Sequence, residues 1–332
     1  MTAPAGPAAD AALLDRVTEG CLAWLWEHRA GFLLPEDVAT DADPNYSVKP
    51  LGELAELSHL VRTLHPDAGI RAAAGDLFAH AVAQTRGGDL FTRLIDRDPL
   101  ATYPVEVYAA FAQGGVRHPE VDAVLATTTA LRGWQVARGD HTRTLAVLAA
   151  ERRLGLPQHA DFATVFAHTA LGSLPEPWTL DRHGAYGLTH DVFHLTDWGR
   201  DRTRMPPPLA AYLGMWLPCW LDAWFEEELW DLAGELLAVA ACLPAARYDT
   251  AVWERLAAAQ EPDGAVPEAS PGTPAMRRMG GGFLPRYHST LVTAFAATLA
   301  RAADHPLGHT GGAQHTTGDR PAPESPESEV IT

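Results

Sequence analysis

Cysteine is scarce in this chain. Its 332 residues include three cysteines, Cys21, Cys219 and Cys242, and none of them has the spacing of a metal-binding pair. An odd, scattered set does not build the disulfide framework on which small secreted proteins depend. The segment from Met1 to Asp10 has neither a basic region nor an apolar run of signal-peptide length. These absences together predict a cytoplasmic protein.

Positive charge is scarce as well. The chain has 25 Lys and Arg against 42 Asp and Glu, a net charge of −17, and Lys49 is its single lysine. Because no basic run could follow a phosphate backbone or an anionic lipid surface, we expect neither a nucleic acid nor a membrane as partner. The apolar stretch from Met205 to Leu221 is interrupted by prolines and followed by acidic residues, which favours a buried core helix over a membrane span.

Apolar residues recur at helical spacing along most of the chain, and no segment has a convincing strand pattern. Helices are predicted to start at Asp10 and near Ser47, and then to cover residues 68–85, 103–114, 119–137, 141–154, 160–172, 189–198, 207–225, 228–243, 249–260 and 287–303. Short turns containing Gly or Pro connect them. The sequence therefore predicts an all-α fold of about a dozen helices.

Two architectures fit such a series of helices, a closed α/α toroid and an open, irregular α-solenoid. No repeat of solenoid length is visible, and the chain length suits six helical hairpins closed in a ring. We predict a toroid formed by a single all-α domain, residues 10–304. The Ala- and Pro-rich residues 1–9 and the acidic tail, residues 305–332, are predicted to be disordered because they have little to bury.

The segment from Thr189 to Gly199 is the best candidate for chemistry. Thr189 is a suitable N-cap and Gly199 a suitable C-cap for a helix of about nine residues. His190 and His194 lie one turn apart, as in metal-binding helices, and Asp197 shares their face. Because the Cα atoms of His190 and Asp197 would lie about 10 Å apart, one ion could bind two of these residues and would need another ligand from elsewhere.

Other polar residues could complete such a site. His288 is one candidate, and Asp231 and Glu235 are others, since carboxylates on an otherwise apolar helix need an Arg, a helix cap or an ion as partner. Lys49 is a further catalytic candidate because arginine does not replace a titratable ammonium. A structural hydrogen-bond network and a metal-free acid/base site remain alternative interpretations.

Aromatic residues also recur at helical spacing. Trp216, Trp220 and Trp224 follow one another at intervals of four residues. They could line a substrate cavity and stabilise a cation there, or they could simply pack in the core, which is the more frequent role of buried aromatic residues.

Four short motifs carry a resemblance to a known family. They are Tyr-x-Leu-Thr-His-x-x-Phe-x-x-Thr-Asp-aromatic-Gly at 186–199, Tyr-His-Ser/Thr-Thr-Leu-Val at 287–292, Asp-x-x-x-Glu-Leu-Leu at 231–237 and Lys-Pro-x-x-Glu-Leu at 49–54. Over residues 45–300 the chain resembles an uncharacterised actinobacterial family of unknown function. Its members look like α/α toroids and are often encoded near natural-product biosynthetic genes.

The resemblance implies that seven residues share one site. They are Lys49, Glu53, His190, Asp197, Asp231, Glu235 and His288. The family pattern has an aromatic residue where this chain has His194. The resemblance therefore implies that His190, His288 and a carboxylate, and not the His190–His194 pair, would be the metal ligands.

Three functions are compatible with these residues. The first is a metal-dependent enzyme of specialised metabolism, in which Fe(II) or Zn acts on a small molecule or peptide held in the toroid cavity. The second is a metal-independent cyclase or lyase that uses carboxylates such as Asp197 or Glu235 as acid and base. The third is a non-enzymatic binding partner of a biosynthetic enzyme. An open cavity beside His190 would favour an enzyme, and we prefer the metal-dependent one.

Overall fold

The computed structural model describes residues 9–36, 38, 43, 47–136, 139–244, 248–270 and 282–304. The ends predicted to be disordered, residues 1–9 and 305–332, lie outside this range except for Ala9. The described residues form helices, and none of them forms a β-strand. The predicted all-α class is therefore confirmed.

The α-helices follow one another with short connections. They are α1 (Ala11–Glu27), α2 (Val48–Leu64), α3 (Ala68–Gln84), α4 (Asp89–Arg97), α5 (Tyr103–Gln113), α6 (Pro119–Thr129), α7 (His141–Leu154), α8 (Phe162–Phe166), α9 (Arg182–Thr196), α10 (Pro207–Glu226), α11 (Trp230–Ala241), α12 (Thr250–Ala257) and α13 (Leu284–Asp304).

Six of these helices form a closed inner ring. Helix α2 packs against α5, α5 against α7, α7 against α9, α9 against α11 and α11 against α13, and α13 packs against α2 to close the ring. The others pack around it, with α3 against α2, α8 against α7, α10 against α11, and α1 against α13. The closing contact between α13 and α2 distinguishes the predicted toroid from the open solenoid.

The inner helices run in the same direction. Residues near the N-terminal ends of α2, α11 and α13 meet one another, as the contacts of His288 with Asp231 and with Glu53 show. Residues at the C-terminal ends of α5, α7 and α9 meet as well, since Asp197 contacts both Gln113 and Arg153. The ring therefore has one mouth surrounded by helix N-termini and an opposite end formed by C-termini.

Aspartate side chains begin many of the helices. At each of these N-caps a carboxylate oxygen accepts a hydrogen bond from a backbone N–H of the first turn, which otherwise has no partner. The N-caps are Asp10, Asp67, Asp140, Asp161, Asp181 and Asp249. Part of the acidic excess of the sequence is thus used to start helices.

The bounds of helix α9 differ from the prediction. It begins at Arg182, where Asp181 is the N-cap, so the prediction that Thr189 caps a helix of about nine residues is wrong. Gly184 and Gly187 lower the helix propensity of the first half. Packing between α7 and α11 supplies the stability that propensity does not. Asp197, in a left-handed conformation, ends the helix in place of Gly199.

Other boundaries also differ from the predictions. Helix α4 was missed, the pattern at 119–137 ends at Thr129, and the pattern at 160–172 is reduced to the five residues of α8. The apolar stretch from Met205 to Leu221 lies largely in α10, an outer helix that buries one face while Met215 stays exposed. Among the described helices, none combines the length and the apolar character that crossing a bilayer requires.

We expect Phe295 on α13 to be important for stability. Its side chain is fully buried and contacts the rings of Phe193 and Trp198 at centroid distances of 5.4 and 5.7 Å. Replacement by alanine should lower the free energy of unfolding by about 3–5 kcal/mol, measured by urea denaturation. The half-exposed Leu100 provides the control, since Leu100→Ala should change this energy by about 0.5 kcal/mol or less. Equal effects of the two substitutions would contradict the assignment of α13 to the core.

Candidate functional site

The inner ring encloses a cavity of about 170 Å³. It extends from Lys49, Tyr103 and Arg143, which lie at the mouth, to Arg153 and Trp198 near the opposite end. His190 and His194 line one side of it. The cavity beside His190 is the feature that we expected of an enzyme.

Four polar residues surround His288 at the mouth, and together with it they form what we call the His288 cluster: Lys49, Glu53, Asp231, Glu235 and His288. The Nδ1 atom of His288 lies 2.7 Å from Oδ1 of Asp231. Its Nε2 atom lies 3.7 Å from Oε1 of Glu53 and 3.9 Å from Oε1 of Glu235. The Lys49 ammonium lies 3.5 Å from Glu53. Asp231, Glu235 and His288 each place a possible ligand atom within 4.8 Å of the other two.

Hydroxyl groups orient the three carboxylates of the cluster. Each carboxylate has one oxygen that is hydrogen-bonded to a hydroxyl group and a second oxygen that faces His288. The hydroxyl partners are Tyr186 for Asp231 (2.7 Å), Tyr287 for Glu53 (2.9 Å) and Thr189 for Glu235. The geometry of the cluster is therefore held by neighbouring side chains and does not depend on His288 alone.

The cluster shifts the pKa of its own members. Burial opposes the charge on His288, but Asp231, Glu53 and Glu235 outweigh it and raise the pKa of the imidazole to about 10. Burial also opposes ionisation of Asp231, yet the His288 charge and hydrogen bonds from His288 and Tyr186 lower its pKa. Burial raises the pKa of Glu235, and the neighbouring Asp231 charge adds to the increase.

His190 borders the cluster and faces the cavity. Its Nδ1 atom hydrogen-bonds the backbone oxygen of Tyr186 at 2.8 Å and lies 3.6 Å from Oε2 of Glu235. Because a carbonyl can only accept, Nδ1 carries a proton, and whenever the imidazole is neutral its Nε2 lone pair can bind a ligand or a proton.

His194 lies one turn deeper on the same helix. Its side chain is buried against the cavity, and its ring centroid lies 6.3 Å from that of His190. Burial and the nearby charge of His190 lower its pKa well below the usual value, so the ring is neutral. His194 is not among the residues whose ligand atoms converge at the mouth.

Asp197 lies at the other end of the ring, about 10 Å from His190 along the helix axis. Arg153 and Gln113 donate hydrogen bonds to its carboxylate. Arg153 also pairs with Glu56, which in turn pairs with Arg200. Burial opposes the charge on Asp197, but Arg153 and Arg200 outweigh it and lower its pKa. This ion network separates Asp197 from the other six residues that the resemblance assigned to one site.

Several residues of the site were not predicted from the sequence. Tyr186 and Tyr287 orient carboxylates of the cluster, and Trp198 lines the cavity. A signal existed for Tyr186, because it lies one helical turn before His190 and so shares its face. Trp220 and Trp224 are instead buried on α10, outside the inner ring.

We expect the ion network around Asp197 to stabilise the fold. Arg153 is 90% buried and pairs with two carboxylates. Since Arg153→Met removes the buried guanidinium that both carboxylates share, and leaves Glu56 with Arg200 and Asp197 with Gln113 as partners, it should lower the free energy of unfolding by about 3 kcal/mol. Arg93→Ala removes an exposed ion pair with Asp89 and should cost about 0.5 kcal/mol or less. Denaturant unfolding compares the two, and similar losses would argue against a structural role for the network.

A second prediction concerns the pH dependence of stability of protein treated with EDTA. The raised pKa of His288 means that its ion pairs contribute fully to stability below about pH 6.5, and that the contribution is lost as the pH rises through about 10. We expect the free energy of unfolding to fall over this interval in the wild type, and to fall less in His288→Gln. Parallel pH profiles for the two proteins would show that His288 is not held as a cation.

Comparison with known proteins gives one match. A family profile described as a domain of unknown function, DUF6895, matches residues 18–298, which include every residue of the His288 cluster. No curated protein and no solved structure matches the chain. The expectation of an uncharacterised family is confirmed: the chain belongs to the DUF6895 family of domains of unknown function.

Proposed function

We propose that this protein is a metal-dependent enzyme, in which the His288 cluster binds one divalent ion at the mouth of the toroid and a small molecule occupies the cavity. The observation that carries the proposal is the convergence of three oriented carboxylates on one imidazole. The cavity beside His190 favours an enzyme over a binding partner without activity.

The distances in the cluster suit a metal ion. Ligand atoms bonded to one Zn²⁺ ion at about 2.0–2.2 Å are at most about 4.4 Å apart. The separations of Nε2 of His288 from Glu53 and from Glu235, 3.7 and 3.9 Å, lie within this limit. Asp231 holds Nδ1 of the same imidazole, as carboxylates do for many metal-binding histidines. We therefore propose His288 and Glu235, whose ligand atoms lie close together among the described residues, as ligands, and Asp231 as the residue that orients His288.

The net charge of the cluster also favours a bound metal ion. With a neutral imidazole, three carboxylates and one ammonium leave a charge of −2, and burying uncompensated charge is costly. One divalent ion would cancel this excess. Its ligands would be nitrogen and oxygen without sulfur, a set compatible with Fe(II) or Zn.

The residues around the ion would have separate tasks. When bound, the ion would polarise a substrate oxygen or activate a water molecule. His190, with the Nε2 lone pair facing the cavity, would accept a proton from the substrate. Within the His288 cluster, Glu53 raises the pKa of Lys49 and keeps it a cation, which could balance developing negative charge. The resemblance to a family encoded near natural-product genes adds specialised metabolism as the predicted context.

A metal-free cyclase or lyase is the second candidate. It is favoured by the opposite pKa shifts of two neighbouring carboxylates, which would leave Glu235 as an acid and Asp231 as a base beside the cationic His288. In this alternative two protons, one on His288 and one on Glu235, replace the ion in balancing the charge of the cluster.

Metal content distinguishes the two candidates. We expect protein purified without a His-tag, and reconstituted anaerobically with Fe(II) or Zn, to retain about one ion per chain in ICP-MS after gel filtration. His288→Ala and Glu235→Gln should lose this ion, because each removes a ligand. His141→Ala is the matched control, since this histidine is exposed on α7 and does not line the cavity. Circular dichroism would verify that the variants fold.

The opposite result is equally informative. Wild-type protein that retains no ion after reconstitution would rule out the metal centre and leave the acid/base alternative. Retention by the folded His288→Ala and Glu235→Gln variants would show that an ion binds elsewhere.

A further inference from the structure

Below the His288 cluster, the cavity has a smooth apolar wall. Small side chains form it on the inner helices α2, α5 and α7, namely Gly52, Ala110, Ala146, Ala149 and Ala150. Gly52 lies so close to α5 that an added Cβ atom would be 2.6 Å from Val107. Small side chains here keep open a space that larger ones would fill.

His194 faces this wall without a protein partner. The residue is 92% buried and lines the cavity, and within the described part of the chain its ring nitrogens have no hydrogen-bond partner and are not fully enclosed, so they are open to the cavity. Buried polar groups are almost always hydrogen-bonded, because leaving them unpaired costs free energy. A neutral imidazole has one donor and one acceptor. A ligand with a polar group at this depth would therefore complete the hydrogen bonding of His194.

Trp198 forms the aromatic part of the cavity surface near its deep end. Its indole stacks on Phe193 at a centroid distance of 5.1 Å. Asp197 and Trp198 both have left-handed backbones, with φ of 51° and 56°, and Arg153 holds the Asp197 side chain. Strained backbone of this kind persists where the surroundings hold it in place. The indole is thus kept in position, and such surfaces favour contact with another aromatic ring.

The charges that line the cavity disfavour an anionic ligand. Each of its cationic side chains is already paired with a carboxylate, Lys49 with Glu53, Arg143 with Glu106, and Arg153 with Glu56. A ligand carboxylate or phosphate would have to displace one of these partners. A neutral polar group needs no such exchange.

We propose that the cavity binds a small neutral ring that carries a hydroxyl group, a phenol, with the ring between the alanine wall and Trp198 and the hydroxyl group on His194. The cavity volume, about 170 Å³, is of the size that holds one aromatic ring. This inference rests on the proposed function in assigning the ring to the substrate of the same cavity. Binding of the ring itself does not require a metal ion.

The test uses two fluorinated probes and protein treated with EDTA. Titration followed by ¹⁹F NMR should show saturable binding of 4-fluorophenol, and about tenfold weaker binding of fluorobenzene, which lacks the hydroxyl group. His194→Leu should bring the two affinities close to equality. Trp198→Leu should weaken binding of both probes by about three- to tenfold, because it removes an aromatic contact.

A matched pair of leucine substitutions tests the location. Ala146 lines the cavity and is partly exposed to it, so Ala146→Leu should weaken binding of 4-fluorophenol by at least about tenfold through filling the space. Ala72→Leu places the same side chain on the exposed face of α3 and should leave binding unchanged. Circular dichroism would show that both variants fold.

Three results would overturn the phenol site: no saturable binding of 4-fluorophenol, equal affinity for both probes in the wild type, or equal affinities of Ala146→Leu and Ala72→Leu. Because this titration is done without metal, its outcome is separate from the ICP-MS result. Phenol binding by a protein that retains no ion would support the phenol site and reject the metal centre. A retained ion without phenol binding would support the metal centre and reject the phenol site.

Discussion

The parallel direction of the six inner helices is the constraint on which the site depends. It collects helix N-termini around one mouth, where partial positive charges favour carboxylates. Asp231 and Glu106 lie in the first turns of α11 and α5, where this effect is strongest. Three acidic side chains can therefore lie close together around His288 with one lysine, Lys49, as their basic partner, although a buried acidic cluster normally requires more.

The two ends of the ring differ in their balance of positive and negative side chains. At the C-terminal end, Arg153 and Arg200 face Glu56 and Asp197, so positive and negative charges are equal in number. At the mouth, carboxylates outnumber the single ammonium. A balanced buried network needs nothing from outside the protein, whereas an unbalanced one needs protons or an ion. Because of this contrast, we propose that the charges at the C-terminal end stabilise the fold and that those at the mouth take part in catalysis.

Helical periodicity made much of the fold predictable. The predicted segments at 68–85, 103–114 and 141–154 match α3, α5 and α7 closely, since each has apolar residues at helical spacing and clear end signals. Helix α9 was predicted too short because Thr189 was interpreted as its N-cap. Glycines lower the helix propensity of its first half, and packing against two inner helices makes that half helical. Local patterns contain no information about such neighbours.

The sequence predicts which site residues share a face of one helix, but it does not predict which residues of different helices come together. The four-residue spacings of Lys49 with Glu53 and of Asp231 with Glu235 place each pair on one helix face, as the structure has them. Their convergence on His288 depends on ring closure by α13, which no spacing reveals. Asp197 was placed on the His190 face by extending an ideal helix. The backbone of Asp197 has a left-handed conformation, which ends the helix. At this end of the ring, opposite the mouth, Arg153 donates a hydrogen bond to the Asp197 carboxylate.

The scarcity of lysine has a practical consequence. Lys49 carries the single side-chain ammonium of the sequence, and the structure places it, half exposed, beside the carboxylates at the cavity mouth. Amine-selective reagents can therefore modify one side chain, the one that stands at the entrance, in addition to the α-amino group. A fluorophore or crosslinker attached in this way would report on whatever enters the ring, in a protein that otherwise offers such reagents no competing side chain.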